Sequence, residues 1–139
     1  MKLMIKIRYL DVVITFLTAY LILRLDVASS LTTRPRNVSR FLHTTAEFHC
    51  GSNTTVHGTD ELVPVKWEFD GEKDCIFCIG MLTYRYIGRY SVNESVVGEY
   101  TLRVENITKN DSGIYTCIDD AGFGPERASA VLVVEGEDS

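Results

Sequence analysis

The residues of this chain with the most chemistry open to them are four cysteines, Cys50, Cys75, Cys78 and Cys117. Thiols can oxidise to disulfides, run thiol–disulfide exchange or hold a metal as thiolates, and spacing separates these uses. Cys75 and Cys78 form a C-x-x-C pair within "CIFCIG". A redox centre of that spacing wants a helix N-terminus after a strand, and nothing helical follows. A zinc site wants a second ligand pair, and His43, His49 and His57 lie elsewhere without metal spacing. Residues three apart on a straight strand point to opposite faces, so a bridge between these two requires a turn at Ile76-Phe77. In an exported chain a local disulfide is favoured, pairing with another chain is the next option, and thiol-active or metal-binding use is the reading from a different class.

Other chemistry has little to work with. G-x-S-x-G, H-E-x-x-H and Gly-rich phosphate loops are absent from the sequence, so no catalytic, metal or cofactor residues are assigned and no enzyme is expected. Asp119-Asp120 suggests calcium at first sight, but adjacent acids at a strand end point opposite ways and read as a solvated rim.

The N-terminus bears on the state of those thiols. Lys2, Lys6 and Arg8 give a basic start, "VVITFLTAYLIL" from Val12 to Leu23 an apolar run, and Ala28 to Ser30 the small residues of a cleavage site. Twelve residues fall short of the roughly 20 that a spanning helix needs. Residues 1–29 therefore read as a signal peptide, 30–136 as the domain and 137–139 as a tail, with a retained signal anchor as the alternative. The remainder after residue 29 holds ten basic and seventeen acidic side chains, a net charge of −7 and a poor match to nucleic acid or anionic lipid. No second apolar segment follows "EGEDS", so the expected product is secreted, or is the extracellular part of a cell-surface protein. Five Asn-x-Ser/Thr sequons, at Asn37, Asn53, Asn93, Asn106 and Asn110, fit a glycosylated surface, Asn110 least well because Asp111 and a tight turn follow it.

The elements that position these residues are strands. "TTAEFHC" places Ala46, Phe48 and Cys50 on one face, "VKWEF" does so for Val65, Trp67 and Phe69, and "EYTLRVENI" for Tyr100, Leu102 and Val104. "IYTCI" puts Tyr115 and Cys117 together, and "ASAVLVVE" reads as a final strand. Asp70-Gly71, Gly98, "DSG" from Asp111 to Gly113 and "AGFGP" supply the turns.

Cys50 and Cys117 are 67 positions apart, Trp67 follows the first by 17, and Tyr115 precedes the second by two. This Cys…Trp…Cys frame with a tyrosine corner resembles an immunoglobulin superfamily domain of the variable or closely related intermediate type. The resemblance implies an all-β, two-sheet antiparallel sandwich in which a Cys50–Cys117 disulfide bridges the sheets, worth about 4 kcal/mol in the chain-entropy model. It further implies that Trp67 packs on the bridge, that Tyr115 bonds backbone at the turn upstream, and that Arg89 of "GRYSV" pairs with Asp111. All of these are scaffold. More narrowly, "RYSV", "GEYTLRVENIT", "DSGIYTC" and "RASAVLVV" are similar to the first domain of nephrin- and Neph-type adhesion receptors, although Ile118 stands where those domains commonly carry glutamine.

In variable-type sandwiches the sheet of strands C, C′, F and G usually binds. That analogy puts the candidate partner-binding residues at Ile76, Phe77, Ile79, Met81, Tyr84 and Tyr86, with Phe123 as a loop-tip anchor. The implied function is binding without chemistry, in adhesion or immune-type recognition. The partner would be another extracellular or cell-surface protein, either an immunoglobulin-superfamily member or a second copy of the chain. The alternative is a secreted decoy or regulator of a membrane receptor.

Overall fold

Apolar side chains at every second position make short strands with one buried face, and Gly, Asp and Asn end them. The computed structural model describes residues 2–25, 29–70, 75–121 and 125–137. The N-terminal segment is a helix, α1 (Lys2–Leu25), and no helix among the described residues is long and apolar enough to cross a membrane. The strands that follow are β1 (Leu31–Thr33), β2 (Val38–Phe41), β3 (Ala46–Phe48), β4 (Gly51–Ser52), β5 (Lys66–Phe69) and β6 (Cys75–Cys78). They continue with β7 (Met81–Leu82), β8 (Tyr90–Asn93), β9 (Thr101–Val104), β10 (Gly113–Asp119) and β11 (Glu126–Glu135).

Two layers result. One is the sheet β3-β9-β8, extended by the β1-β4 pair, because Tyr100 N–H donates to the Cys50 carbonyl at 2.7 Å and Ser52 N–H to the Gly98 carbonyl at 2.9 Å. The other is the six-stranded sheet β2-β11-β10-β5-β6-β7. The expected two-sheet sandwich is thus what the chain forms. One pairing departs from a purely antiparallel arrangement: β2 runs parallel to β11. β1 lies in the first layer and β2 in the second, and the buried Pro35 between them has no N–H to continue a ladder. The opening strand therefore changes sheets and lies beside the last strand in the same direction.

The alternating residues meet between the layers. Ala46, Phe48, Cys50, Trp67, Leu102, Val104, Tyr115 and Cys117 are all essentially inaccessible to solvent. The Phe48 and Tyr115 rings stack with centroids 4.7 Å apart, and Trp67 Nε1–H donates to the Tyr100 carbonyl at 3.1 Å, so the indole is buried without an unpaired donor.

Gly113 opens β10 where the chain passes close to β5. A Cβ there would lie 2.5 Å from Asp70 Oδ1, which accepts the Ile114 N–H at 2.6 Å, and 2.8 Å from a Phe69 ring carbon. Gly113→Ala is expected to cost about 1–3 kcal/mol by overpacking, measured as a lower urea midpoint at unchanged slope. A midpoint equal to the wild type would refute the close-approach argument.

Candidate functional site

The pairing of β5 with β6 sets up the candidate face. Trp67 pairs with Phe77 and Glu68 with Cys75, so two steps on β6 are taken against one on β5. Ile76 is the extra residue of a β-bulge, and the bulge breaks the strict alternation of side chains. Ile76 and Phe77 consequently both pack into the core, at 0% and 4% exposure. Tyr86 is buried as well. It lies in a 3-10 turn (Tyr84–Tyr86) and its ring meets Tyr90 edge-on at 5.0 Å. Three of the expected partner-binding residues, Ile76, Phe77 and Tyr86, therefore belong to the core and are removed from the face.

The same bulge brings the C-x-x-C pair together. Cys75 and Cys78 have Cα atoms 6.1 Å apart and their sulfurs are paired, within the reach of a disulfide. The turn expected at Ile76-Phe77 is not there; β6 stays a strand through Cys78, and the chain reverses at Ile79-Gly80. No cluster of three or more His, Cys, Asp or Glu side chains among the described residues could hold a metal ion.

What remains of the face is the tip and outer edge of the β6–β7 hairpin. Ile79 is 92% exposed, Tyr84 89% and Met81 69%. Ile79 and Gly80 have φ of 52° and 72°, the left-handed pair of a tight two-residue hairpin turn. Glycine or asparagine accepts that conformation readily, whereas a β-branched side chain is strained in it by about 1–2 kcal/mol. Phe123, the proposed loop anchor, lies outside the described residues.

A second exposed apolar group lies on the same sheet and was not singled out from the sequence. Ile114 pairs with Val131, Val133 with Ser39, and Phe41 with Glu135, placing Phe41, Ile114, Val131 and Val133 on solvent-facing positions of β2, β10 and β11. The signal was present in "AVLVVE", where Val131 and Val133 have the parity opposite to the buried Leu132 and Val134. Elsewhere on the sheet, Lys66 and Arg127 flank the buried Ile118 across the strands, and both approach Glu68, at 3.5 and 3.4 Å.

Scaffold residues cluster around Asp111. Its carboxylate accepts from Arg89 Nη1 at 2.8 Å and Nη2 at 3.1 Å, from the Tyr90 hydroxyl at 2.8 Å and from the Thr108 N–H at 2.7 Å. The Tyr115 hydroxyl donates to the Asp111 carbonyl at 2.8 Å, closing the corner upstream of Cys117. Burial alone would raise the Asp111 carboxyl; the hydrogen bonds from Arg89, Thr108 and Tyr90 outweigh it and hold the group below the usual range. Burial pushes the Tyr90 phenol up to about 12.

Asp119 corrects another expectation. It is buried, not part of a solvated rim, and accepts from Ser52 Oγ at 2.6 Å, Thr54 Oγ1 and the Ala121 N–H. Nothing local in "IDDAG" marks its burial, because its hydroxyl partners Ser52 and Thr54 lie 67 and 65 residues away. The sequon side chains Asn37, Asn53, Asn93, Asn106 and Asn110 are all exposed.

With this geometry in hand, the model of the immunoglobulin I-set domain matches residues 29–134. The chain belongs to the immunoglobulin I-set family. Of the variable and intermediate types that the resemblance left open, this is the intermediate one. Cys50–Cys117 is its inter-sheet disulfide, with Cα atoms 6.5 Å apart. Among solved structures, titin domains Z1Z2 in complex with telethonin share 20% identity at a TM-score of 0.58, over 77% of this chain and 47% of that one. Titin domain M7 shares 20% at 0.57 over 76% and 92%, and the titin M10–obscurin-like 1 immunoglobulin complex 21% at 0.56 over 78% and 95%. The I-set domain thus spans about half the length of the first of these chains. Domains of this family generally work by binding other proteins and not by catalysis.

Proposed function

We propose that this I-set domain is an extracellular recognition module for adhesion or immune-type contacts, binding a second immunoglobulin-like domain through the tip of its β6–β7 hairpin. The observation that carries the reading is Ile79: an isoleucine in a left-handed turn, almost wholly exposed, beside the exposed Met81 and Tyr84. It touches no core and strains the backbone, so its use lies outside the chain. Tyr and Met are the side chains enriched at the centre of protein interfaces. The Cys50–Cys117 disulfide, the basic and apolar start of the chain and five exposed sequons support placement in an oxidising, extracellular compartment. The titin M10–obscurin-like 1 complex is an instance of such domains pairing with one another. The similarity of residues 67–134 to the first domain of nephrin- and Neph-type receptors points the same way.

The test is a screen of the secreted, glycosylated domain against cell-surface ectodomains, with Ile79→Asn and Tyr84→Ala as face variants. Phe77 is unsuitable as a probe because it lies in the core. Ile79→Asn is expected to raise stability by about 1 kcal/mol through relief of strain, while weakening the partner found in the screen at least tenfold. A partner bound equally well by both variants would place the interface elsewhere.

A further inference from the structure

The start of β1 is held by one carboxylate on the opposite side of the chain. Glu126 Oε2 accepts the Ser30 N–H at 2.7 Å, Ser30 Oγ at 3.0 Å and the Leu31 N–H at 3.2 Å, while Oε1 accepts from Ser29 Oγ at 2.6 Å and from Arg34 Nη2. The Ser30 carbonyl accepts the Asn53 N–H at 3.2 Å. Asp119 and Glu126 are themselves a cross-strand pair, at the base of the β10–β11 connection that contains Phe123. Glu126 of β11 is thus the carboxylate to which Ser30 donates, and Arg34 from the β1–β2 connection is the cation paired with it among the described residues.

Arg34 meets Glu126 at Oε1, whereas Oε2, which holds the Ser30 nitrogen, receives only uncharged donors. The small residues of the expected leader cleavage site end there. We propose that the leader is cut between Ser29 and Ser30 and that the new α-amino group of Ser30 docks as an ammonium on Glu126. A processing peptidase would hydrolyse the Ser29–Ser30 amide with one water, leaving the carboxylate on Ser29 and the amine, protonated from solvent, on Ser30. The nitrogen is already 2.7 Å from its acceptor, so no rearrangement is needed, and an ammonium adds a charged donor to a bond in which only the acceptor was ionised. The ammonium would tie the first strand to the base of the Phe123 loop only after the leader has gone. This inference rests on the export reading above.

Two measurements on the protein secreted from eukaryotic cells test it. Intact mass and N-terminal sequencing are expected to show a chain beginning at Ser30. Acylation of that amine by an activated ester, followed against pH by mass spectrometry of the N-terminal peptide, is expected to titrate above the ordinary α-amino range of about 7.7–8.0. In Glu126→Gln it should return to that range and react about tenfold faster at pH 8, while Arg34→Gln should leave the shift in place or enlarge it. If Glu126→Gln is not secreted, wild type and Arg34→Gln still decide the matter. A wild-type amine that titrates in the ordinary range overturns the proposal. An exported chain beginning elsewhere, at Met1 included, overturns the proposal but leaves the hairpin interface standing, whereas a chain that is neither secreted nor displayed at the cell surface overturns both this and the extracellular reading.

Discussion

Replacing Cys50 and Cys117 together by alanine is expected to destabilise the domain by about 4 kcal/mol, the largest effect of any change considered for this chain. The bridge joins residues 67 apart, so its loss returns a long loop's worth of freedom to the unfolded chain. Both residues are fully buried in the same core as Trp67 and Phe48, so the folded state also loses packing around the vacated sulfur positions. Domains of this size have only about 5–15 kcal/mol to lose. Urea denaturation of the oxidised wild type and the double variant, at matched slope, measures the difference; a loss under about 1 kcal/mol would show that the bridge is incidental to the fold.

Asp111→Ala is expected to cost about 3 kcal/mol. The carboxylate is almost wholly buried and has five donors, two from Arg89 and one each from the Tyr90 hydroxyl, Thr108 N–H and Thr108 Oγ1. Truncation strands the Tyr90 hydroxyl and the Thr108 N–H without an acceptor, and that penalty exceeds the value of the ion pair itself. Arg89 is partly exposed and can turn to water, which keeps the loss below that of a fully buried pair. Asp111→Asn keeps an acceptor and should lose less. The pH dependence has a definite sign. The folded carboxyl is held below its ordinary value of 3.8, so its contribution is complete above that value and is lost as pH falls through the lower folded one. Stability of the wild type should therefore drop below about pH 4. Asp119 and Glu126 are lowered too and titrate in the same window. The readout is accordingly the difference between wild type and Asp111→Asn, which should narrow as pH falls; a constant difference would mean that Asp111 is uncharged in the folded state.

Much of the sandwich is legible because strands with one buried face write themselves at period two. Ala46, Phe48 and Cys50, like Tyr100, Leu102 and Val104, face inward as the alternation requires. Where the period fails, reading fails with it. A bulge inserts one residue, and from Ile76 on the parity no longer says which side chain is buried. That single residue moves Phe77 from face to core, draws Cys75 toward Cys78 and leaves Ile79 to make the turn. Asp119 departs from the rim for a different reason: its two hydroxyl partners, Ser52 and Thr54, lie 67 and 65 residues away, and no local pattern reports a contact of that range.

By itself the sequence determined the superfamily, the sandwich and the residues that staple it, because a buried bridge, an indole and a tyrosine corner restrict residue type and spacing along the chain. Tertiary structure alone decided which apolar residues are left for a partner. Exposure depends on the register of β5 against β6 and on what covers each sheet, and neither is a property of neighbours in sequence. That is why Ile79, Met81 and Tyr84 remain on the surface while Ile76, Phe77 and Tyr86 do not. It is also why one carboxylate of β11 comes to hold the first strand, 96 residues upstream.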